Sequence, residues 1–419
     1  MYLIFIMKFI LIVKINFNMI KNRDIIVFGL QPFDVDIGST CKYTAIEFSK
    51  KNRILFVNYP LNRKAALFDN KNPMTQKRLR IIKGKEPDLY KFNDDLYVLY
   101  PRTVIESINW INSTKIFDFF NKINEKRFAY WIMKAINKLN FKDYIIFNDN
   151  SMIIGYYLKE LLKPKYYVYL LRDAVTFLPY HKKHGQRLEK KLISKVDLVV
   201  TNSYYFENYA KKYNTNSYMI GQGCDLSLYN DKDCKITIPD ELQKIIDLKK
   251  PIIGYTGVLT AVRLDIDILI YIAKTSPEWY IVLVGPEEEE FIKSDLHKLK
   301  NVFFLGRKAP EQLPGYIKGF NVAINPQKVN RITDINYPLK IDEYLAMGKP
   351  TVATKTTFMT YFKDYVYLPS NKEEYIKYLK LAIEENTPEK EKQRIAFAST
   401  HSWGNFVDKI YNYIEQLDN

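Results

Sequence analysis

Short apolar segments bounded by turn residues recur along this chain, and segments with helical spacing separate them. Apolar runs of this length are typical of buried parallel strands joined by crossover helices. The first half of the sequence contains such runs at 24–29, 53–58, 143–148, 166–171, 197–202 and 217–223. The second half contains them at 251–257, 280–285, 302–306, 322–326 and 351–354. The pattern predicts an α/β protein with two separate sheets.

The length also indicates more than one domain, because 419 residues exceed the usual size of a single core. The polar segment 230–249 has no alternation of strands and helices, and we predict that it links the domains. We therefore predict an N-terminal domain at 1–229 and a C-terminal domain at 250–399. The remaining segment, 400–419, is predicted to form a helix from Trp403 to Leu417.

The most informative stretch is NYPLKIDEYLAMGKPTVAT, at 336–354. It predicts a short helix that Asn336 caps, that Pro338 starts and that Gly348 ends, followed by a buried strand. One face of this helix is apolar at helical spacing and is predicted to pack. The apolar positions are Ile341, Tyr344 and Leu345.

Lys340 and Glu343 lie three residues apart and are predicted to share the other face of this helix. A lysine in a first helical turn opposes the helix dipole, so its presence is easier to explain if an anion lies near the exposed amides. A solvated surface lysine is the alternative, because the chain contains 63 lysines and arginines. The surrounding pattern favours a site for a phosphate and a sugar.

Three segments, at 253–286, 301–326 and 338–354, follow one another as in the group 1 glycosyltransferases with the GT-B fold, which this chain resembles. The RLD triplet at 263–265 and the HSW triplet at 401–403 are most similar to the branch that includes teichuronic acid biosynthesis glycosyltransferases. The resemblance implies two Rossmann-like domains with parallel sheets that face a central cleft. It also implies an acceptor on the N-terminal domain, a sugar donor on the C-terminal domain and no metal ion. The C-terminal helix would cross back to the N-terminal domain, with Trp403 as a packing residue.

Arg263 and Lys340 are the candidates for catalysis of glycosyl transfer. Departure of a nucleoside diphosphate requires charge-assisted hydrogen-bond donors in a cleft that contains little water. A salt bridge from Arg263 to Asp265 or Asp267 is the alternative. By resemblance, Glu343 aligns with the acidic residue that binds the donor ribose, a role that suits a carboxylate because it accepts two hydroxyl hydrogens.

Residues that follow the predicted strands complete the nucleotide-sugar site, because ligands of open α/β sheets bind at the carboxyl ends of strands. These candidates are Gly257, Gly285 and Arg307, with ordinary turn chemistry as the alternative. The sequence departs from the family at Ile335, where retaining relatives often have an acidic residue that contacts the sugar. Asp334, Asn336 or backbone amides are the candidate substitutes.

The N-terminal domain offers two weaker candidates. Gly38, in the segment DIGST at 36–40, would allow backbone amides to approach a donor phosphate or the acceptor, although a plain turn explains it equally well. Asp173 follows Arg172 at a strand exit where relatives place a catalytic or sugar-contacting residue, and a helix cap or ion pair is the alternative.

A charged segment that follows this strand is not assigned to the site. His181 and His184 have two lysines between them, and the sequence favours a solvated helix face over a metal site. Glu189, in the same segment, is predicted to be exposed.

The net charge of +16 implies an anionic partner. The sequence has no clustered basic arm or aromatic RNA-binding motif, so we expect no nucleic acid. The remaining partners are a nucleotide sugar, a glycan or lipid-linked acceptor, and an anionic membrane surface.

The three cysteines, Cys41, Cys224 and Cys234, show no disulfide or metal spacing and are predicted to be packing residues in a reducing compartment. We therefore expect a cytoplasmic protein or one that is peripheral on the inner face of the membrane. The apolar runs in 1–18 are too short to span a bilayer. This segment is predicted either to be extraneous, with translation starting at Met19, or to lie on the membrane surface.

These observations predict a glycosyltransferase that needs no metal and uses a UDP- or GDP-sugar as cosubstrate, without any other cofactor. Retention of the anomeric configuration is implied by the resemblance. A nucleotide-sugar 2-epimerase of the same fold is one alternative, and it would convert the donor alone into an epimer. A noncatalytic partner in a polysaccharide assembly complex is another, and it would bind the donor without hydrolysis or transfer.

Overall fold

The computed structural model describes residues 20–34, 39–69, 71–229 and 235–418. Three predictions fall outside these residues, namely those on the segment 1–18, on Gly38 and on Cys234. Cys41 and Cys224 are buried free thiols, as predicted for packing residues.

The first sheet has eight strands in the order β10-β9-β8-β7-β1-β2-β5-β4. All neighbours are parallel except β4 and β5, which are antiparallel. The strands are β1 Asp24–Gly29, β2 Arg53–Val57, β4 Leu89–Lys91, β5 Leu96–Leu99, β7 Ile145–Asp149, β8 Tyr166–Leu171, β9 Leu198–Thr201 and β10 Ser217–Met219. A separate parallel pair consists of β3 Leu61–Asn62 and β6 Val104–Ile105.

Helices cover both faces of this sheet, and this explains why its central strands are apolar on both sides. Side-chain caps from Ser39, Ser113 and Ser203 start three of these helices. The helices of the N-terminal domain are α1 Thr40–Phe48, α2 Arg63–Phe68, α3 Pro73–Ile82, α4 Thr114–Leu139, α5 Leu158–Leu162, α6 Pro179–Ile193 and α7 Tyr204–Lys211.

The second sheet has five parallel strands in the order β13-β12-β11-β14-β15. They are β11 Ile252–Thr256, β12 Tyr280–Val284, β13 Val302–Gly306, β14 Val322–Asn325 and β15 Thr351–Ala353. The helices around it are α8 Asp240–Ile246, α9 Ile266–Thr275, α10 Glu289–Ile292, α11 Leu313–Lys318, α12 Lys340–Ala346, α13 Lys372–Glu384 and α14 Pro388–Ser399. The predicted α/β class with two parallel sheets is confirmed.

The last helix, α15 Trp403–Glu415, returns to the N-terminal domain as predicted. Its apolar face is buried in the same cluster as β1, β2 and α1. Trp403 packs against Gly223 so closely that a Cβ at that glycine would lie 2.2 Å from the indole ring. Trp403 is therefore a packing residue, and the chain makes a second crossing between the two sheets.

The prediction of a solvated face on α6 is wrong. His184 is buried, stacks on Phe117 with ring centroids 3.8 Å apart, and contacts the carbonyl oxygen of Ile111 at 2.7 Å through Nε2. Glu189 is also buried, and it accepts a hydrogen bond from the Tyr209 hydroxyl at 3.2 Å. The many charged residues of α6 suggested a solvated face, but α6 packs against α4 and α7, which bury His184 and Glu189.

Candidate active site

Helix α12 begins at Lys340, two residues later than the sequence predicts. Leu339 occupies the capping position without a side-chain cap, so the predictions that Asn336 caps the helix and that Pro338 starts it are both wrong. The reason is that Ile335 and Tyr337 are buried in two different apolar clusters, which fix the chain before the helix starts. The other features are confirmed: Gly348 ends the helix with φ of 68°, and the buried residues include Ile341, Tyr344 and Leu345.

Lys340 reaches back from the start of α12 to the end of β11. Its Nζ donates a hydrogen bond of 2.6 Å to the Tyr255 hydroxyl and lies 4.2 Å from the centre of the Tyr255 ring. A Cβ at Gly257 would lie 3.0 Å from the same Nζ, so the ammonium group borders the backbone just after β11. This contact brings two sequence-predicted residues, Lys340 and Gly257, to one place.

Gly285 lies beside Gly257 at the ends of two adjacent strands. A Cβ at Gly285 would lie 1.8 Å from the carbonyl oxygen of Gly257, which no side chain could accommodate. Gly257 itself has φ of 133°. A side chain would therefore be strained at Gly257 and would clash at Gly285. Without side chains at these two positions, the backbone at this edge of the sheet is uncovered.

Arg263 lies in the loop between β11 and α9 with an exposed side chain. The salt bridge considered as an alternative does not form in the described residues, where its guanidinium has no ion-pair partner. Asp265 instead caps α9 and accepts from the amides of Asp267 and Ile268, at 3.0 and 3.3 Å. The Arg263 carbonyl accepts from the Lys328 amide at 2.8 Å, which ties this loop to the segment before α12.

The charges of this region act on one another. Burial lowers the pKa of Lys340, the Glu343 carboxylate counteracts this, and the positive charge of Arg263 lowers the pKa of Lys340 further. Burial raises the pKa of Tyr255, and the positive charge of Arg263 lowers it. Arg263 and Lys340 therefore belong to one electrostatic neighbourhood, in which two cations repel each other and an anion would be stabilised.

Glu343 lies on the same helix face as Lys340, one turn later. Burial raises the pKa of its carboxyl group to about 7, although the Lys340 charge and a hydrogen bond from Tyr229 both lower it. Glu343 is thus ready to accept hydrogen bonds only where the pH keeps it ionised.

Asp342, which precedes Glu343 in the sequence, contacts a different set of residues. It is buried, contacts His401 Nδ1 at 2.8 Å and accepts a hydrogen bond of 2.6 Å from the Tyr337 hydroxyl. The His401 carbonyl accepts from the Cys224 amide at 2.8 Å. This network connects α12 to the second crossing between the sheets.

Ile335 and Asp334 have structural roles. Ile335 is buried in the core cluster of the N-terminal domain. The Asp334 carboxylate accepts from the amide and the hydroxyl of Thr357, both at 2.8 Å. Ile335, which replaces the family's acidic residue, therefore packs in the core. Asp334 beside it is already hydrogen-bonded to the loop at Thr357.

On the N-terminal sheet, Arg172 joins two aspartates. Its Nε donates to the buried Asp149 at 2.7 Å, and its Nη1 donates to Asp173, whose side chain is half-exposed. Burial raises the pKa of Asp149, and the Arg172 charge counteracts this. Asp173 is thus part of an ion pair, which was the alternative predicted for this residue. Its side chain is still partly exposed at the end of the strand.

Sequence reasoning missed several polar side chains at strand exits. Asp149 Oδ2, both amide atoms of Asn325, and Gln327 Oε1 are buried without a hydrogen-bond partner. Asp149 and Asn325 end β7 and β14, and Gln327 follows two residues later. A polar residue at the end of an apolar strand was the available indication, because a buried polar group normally has a hydrogen-bond partner.

The remaining candidates are less connected to Lys340. Arg307 is exposed just after β13, at the carboxyl edge, and no contact given by the described residues joins it to Lys340 or Arg263. Within the described residues, no group of three or more His, Cys, Asp and Glu side chains could hold a metal ion. None of the described helices is both long and apolar enough to cross a membrane.

The fold matches solved GT-B glycosyltransferases over nearly its whole length. Sucrose-phosphate synthase from Thermosynechococcus elongatus is 13% identical and superimposes with a TM-score of 0.65 over 95% of this chain and 99% of that one. Anabaena Alr3699/HepE, solved in complex with UDP, is 15% identical with a TM-score of 0.63 over 94% and 100%. Together with the return of α15, these likenesses define a GT-B fold.

Part of the sequence is similar to a known glycosyltransferase family. Residues 250–379 match the family model described as Glycosyl transferases group 1. A Bacillus subtilis (strain 168) protein with the provisional name teichuronic acid biosynthesis glycosyltransferase TuaH is 26% identical over 196 residues, which are 45% of this chain and 48% of that protein. The match thus spans about half the length of this curated relative. The predicted resemblance is confirmed.

Proposed function

We propose that this protein transfers a sugar from a UDP- or GDP-sugar to a surface polysaccharide or lipid-linked acceptor, with retention and without a metal ion. The observation that carries the proposal is the contact of Lys340 with Tyr255 beside Gly257, within the electrostatic reach of the unpaired Arg263. Two cations beside bare backbone form a suitable cradle for a diphosphate. The match of residues 250–379 to the group 1 family and the UDP bound to Alr3699/HepE support this choice of ligand.

In the proposed reaction, the bond from the anomeric carbon to the diphosphate oxygen breaks and a bond to the acceptor oxygen forms. The acceptor hydroxyl loses its proton to the released diphosphate or to water. Arg263 and Lys340 stabilise the negative charge that develops on the leaving group. Glu343 holds the ribose hydroxyls, and Gly257 and Gly285 allow the diphosphate to approach the backbone.

Asp173 remains a proposed catalytic or sugar-contacting residue on the N-terminal domain, and Arg307 remains a proposed contact of the nucleotide. The Ile335 departure favours one other function. Because Ile335 packs into the N-terminal core and Asp334 is bonded to Thr357, no acidic side chain at these positions is left to contact the sugar. A protein that binds the donor without transferring it is therefore the second candidate.

A thermal-shift panel of nucleotides tests the donor site. UDP or GDP at about 100 times its dissociation constant should add about 2.7 kcal/mol of stability. Arg263→Ala and Glu343→Ala should abolish this response, whereas Arg80→Ala, at an arginine paired with Glu86 in the N-terminal domain, should retain it. Unchanged shifts in the two site variants would mean that the site is misplaced.

Incubation with the donor then separates the functions. Hydrolysis of a nucleotide sugar, or transfer to an added glycan, supports the transferase. Formation of an epimer from the donor alone supports the epimerase. Binding without either reaction supports the noncatalytic partner.

We also propose, as a separate hypothesis, that the protein binds an anionic membrane through the exposed apolar face of α4. Ile116, Phe119 and Phe120 share this face at helical spacing and are 51%, 63% and 36% exposed. Trp110, which is 77% exposed, precedes the helix, and Lys115 and Lys122 supply positive charge. Aromatic side chains beside lysines suit the interface of an anionic leaflet.

Flotation with phosphatidylglycerol vesicles tests this surface. Wild-type protein should float at low salt and remain unbound at high salt. Phe119→Ser should weaken flotation, and Phe68→Ser, at an 82% exposed residue of α2, should not. Absence of salt-sensitive binding by the wild type would contradict the hypothesis.

A further inference from the structure

An aromatic groove lies between the two domains, and neither the donor site nor the proposed membrane surface uses it. Helix α7 forms one wall, and the segment 357–361 after β15 forms the other. Its volume is about 470 Å³. The side chains that define this interdomain groove are Tyr204, Tyr205, Asn208, Tyr209, Lys212, Thr357, Phe358, Thr360 and Tyr361.

Both walls of the groove follow the carboxyl ends of strands. Helix α7 starts directly after β9, with Ser203 as its cap, and Asn202 before it is buried with an unpaired Oδ1. The segment 357–361 is held by Asp334, which lies in the stretch that leads to Lys340 and Glu343. Each wall of the groove therefore lies near the edge of a sheet at which the ligands of α/β proteins bind.

The groove combines ring faces with free polar groups. Tyr204 and Tyr205 are 58% and 42% exposed, which is unusual for large aromatic side chains that lie side by side. The Tyr361 ring is fixed by a contact of 2.9 Å between its hydroxyl and His401 Nε2. In the described residues, the Asn208 amide and the Lys212 ammonium group have no hydrogen-bond partner.

This chemistry fits a carbohydrate better than a lipid chain. A sugar ring presents an apolar C–H face, which packs on an aromatic ring, and a rim of hydroxyl groups, which pair with amide, hydroxyl and ammonium groups. A lipid chain would displace water from the exposed Asn208 and Lys212 without replacing the lost hydrogen bonds. We propose that the interdomain groove binds the sugar units of the acceptor that lie beyond the reacting hydroxyl.

The inference rests on the proposed function, because a glycan acceptor has meaning only for a glycosyltransferase. The groove would make the acceptor an extended glycan, and this glycan would contact both domains. Because the two walls belong to different domains, a bound glycan would also hold them at a defined distance from each other.

A glycan array probed with the fluorescently labelled full-length chain tests this proposal. Wild-type protein should bind at least one class of immobilised oligosaccharide that carries no lipid. Tyr205→Ala and Asn208→Ala should each weaken that binding by about tenfold. Tyr130→Ala, at a 62% exposed tyrosine of α4 outside the groove, should leave it unchanged.

The thermal shift with UDP is measured on the same variants, so that the two proposals fail separately. Loss of glycan retention with a normal UDP response supports the groove. Equal retention by Tyr205→Ala and wild type, or retention of alkyl glycosides alone, or no retention of any glycan, would overturn it. A missing UDP response in the wild type would instead overturn the donor site.

Discussion

At the residue scale, the site depends on a lysine whose partner is not an acid. Lys340 contacts the hydroxyl and the ring of Tyr255 and shares its surroundings with Arg263. The sequence predicted Lys340 from the helix dipole together with the surrounding pattern. It could not predict Tyr255, because that residue lies 85 positions earlier and reads as an ordinary strand residue.

Replacement of Lys340 should therefore affect the reaction more than the fold. A charge-assisted hydrogen bond contributes about 1.5–3 kcal/mol, so Lys340→Met should slow donor cleavage by about ten- to a hundredfold. Tyr255→Phe keeps the ring under the ammonium group and should cost much less. Steady-state rates of nucleotide release measure both variants, and equal losses would show that Tyr255, rather than the lysine charge, is the important group.

Glu343 should give donor binding an acidic limb near neutral pH. Burial raises the pKa of its carboxyl group to about 7, and only the ionised form accepts two ribose hydroxyls. UDP affinity should thus rise as the pH increases from 6 to 8, until the lowered pKa of Lys340 removes the positive charge at higher pH. Calorimetric titrations across this range measure the effect. Glu343→Gln should bind more weakly and lose the acidic limb, and a limb that persists in this variant would contradict the assignment.

At the element scale, most of the strands that the sequence predicted are buried on both faces, whereas β10 and β13, at sheet edges, are only partly buried. All eleven predicted runs contain strands of the two parallel sheets. Two strands in the segment 89–99 were not predicted. β4 is short, half-exposed and antiparallel to β5, whereas β5 is a buried apolar run that the strand prediction omitted. The α6 face was misread because charge patterning cannot show which neighbour will cover Glu189.

The glycine pair at the ends of β11 and β12 gives an element-scale prediction. Gly285→Ala places a Cβ against the Gly257 carbonyl oxygen, so the backbone beside Lys340 must move. We expect loss of the UDP thermal shift and a stability loss of about 2 kcal/mol. Gly404→Ala is the control, because its nearest neighbour would be 3.6 Å away. Normal UDP binding by Gly285→Ala would show that the diphosphate does not use this edge.

The buried acid of α6 should make stability depend on pH. Burial raises the pKa of Glu189 to about 7 from a usual 4.5. The folded protein therefore holds a proton that the unfolded chain releases, so this group costs stability as the pH rises from 4.5 to 7, and the cost stays above 7. Glu189→Gln should add about 3 kcal/mol at pH 8 and little at pH 4.5. Urea unfolding measures both, with the exposed Glu160→Gln as control; an equal gain at both pH values would contradict this account.

At the scale of the whole molecule, the chain crosses twice between the sheets, and the second crossing ends in α15. This arrangement was implied by the family resemblance rather than by any local pattern, because periodicity shows that α15 is amphipathic but not which sheet it covers. The interdomain groove could not be predicted either. Its walls, α7 and 357–361, are separated by about 150 residues of sequence and meet only through the fold.

The return of α15 should stabilise the N-terminal domain without building the donor site. Trp403 fills the space over Gly223 and packs against Tyr43 with ring centroids 5.5 Å apart, whereas Lys340, Tyr255 and Gly257 all lie in the C-terminal domain. Trp403→Ala should therefore cost about 2 kcal/mol, because the cavity removes part of the packing of a half-buried tryptophan. Calorimetry with and without UDP should show earlier melting and a retained UDP response. Trp110→Ala, at an exposed tryptophan, should melt normally, and loss of the UDP response in Trp403→Ala would mean that the second crossing also shapes α12 through His401 and Asp342.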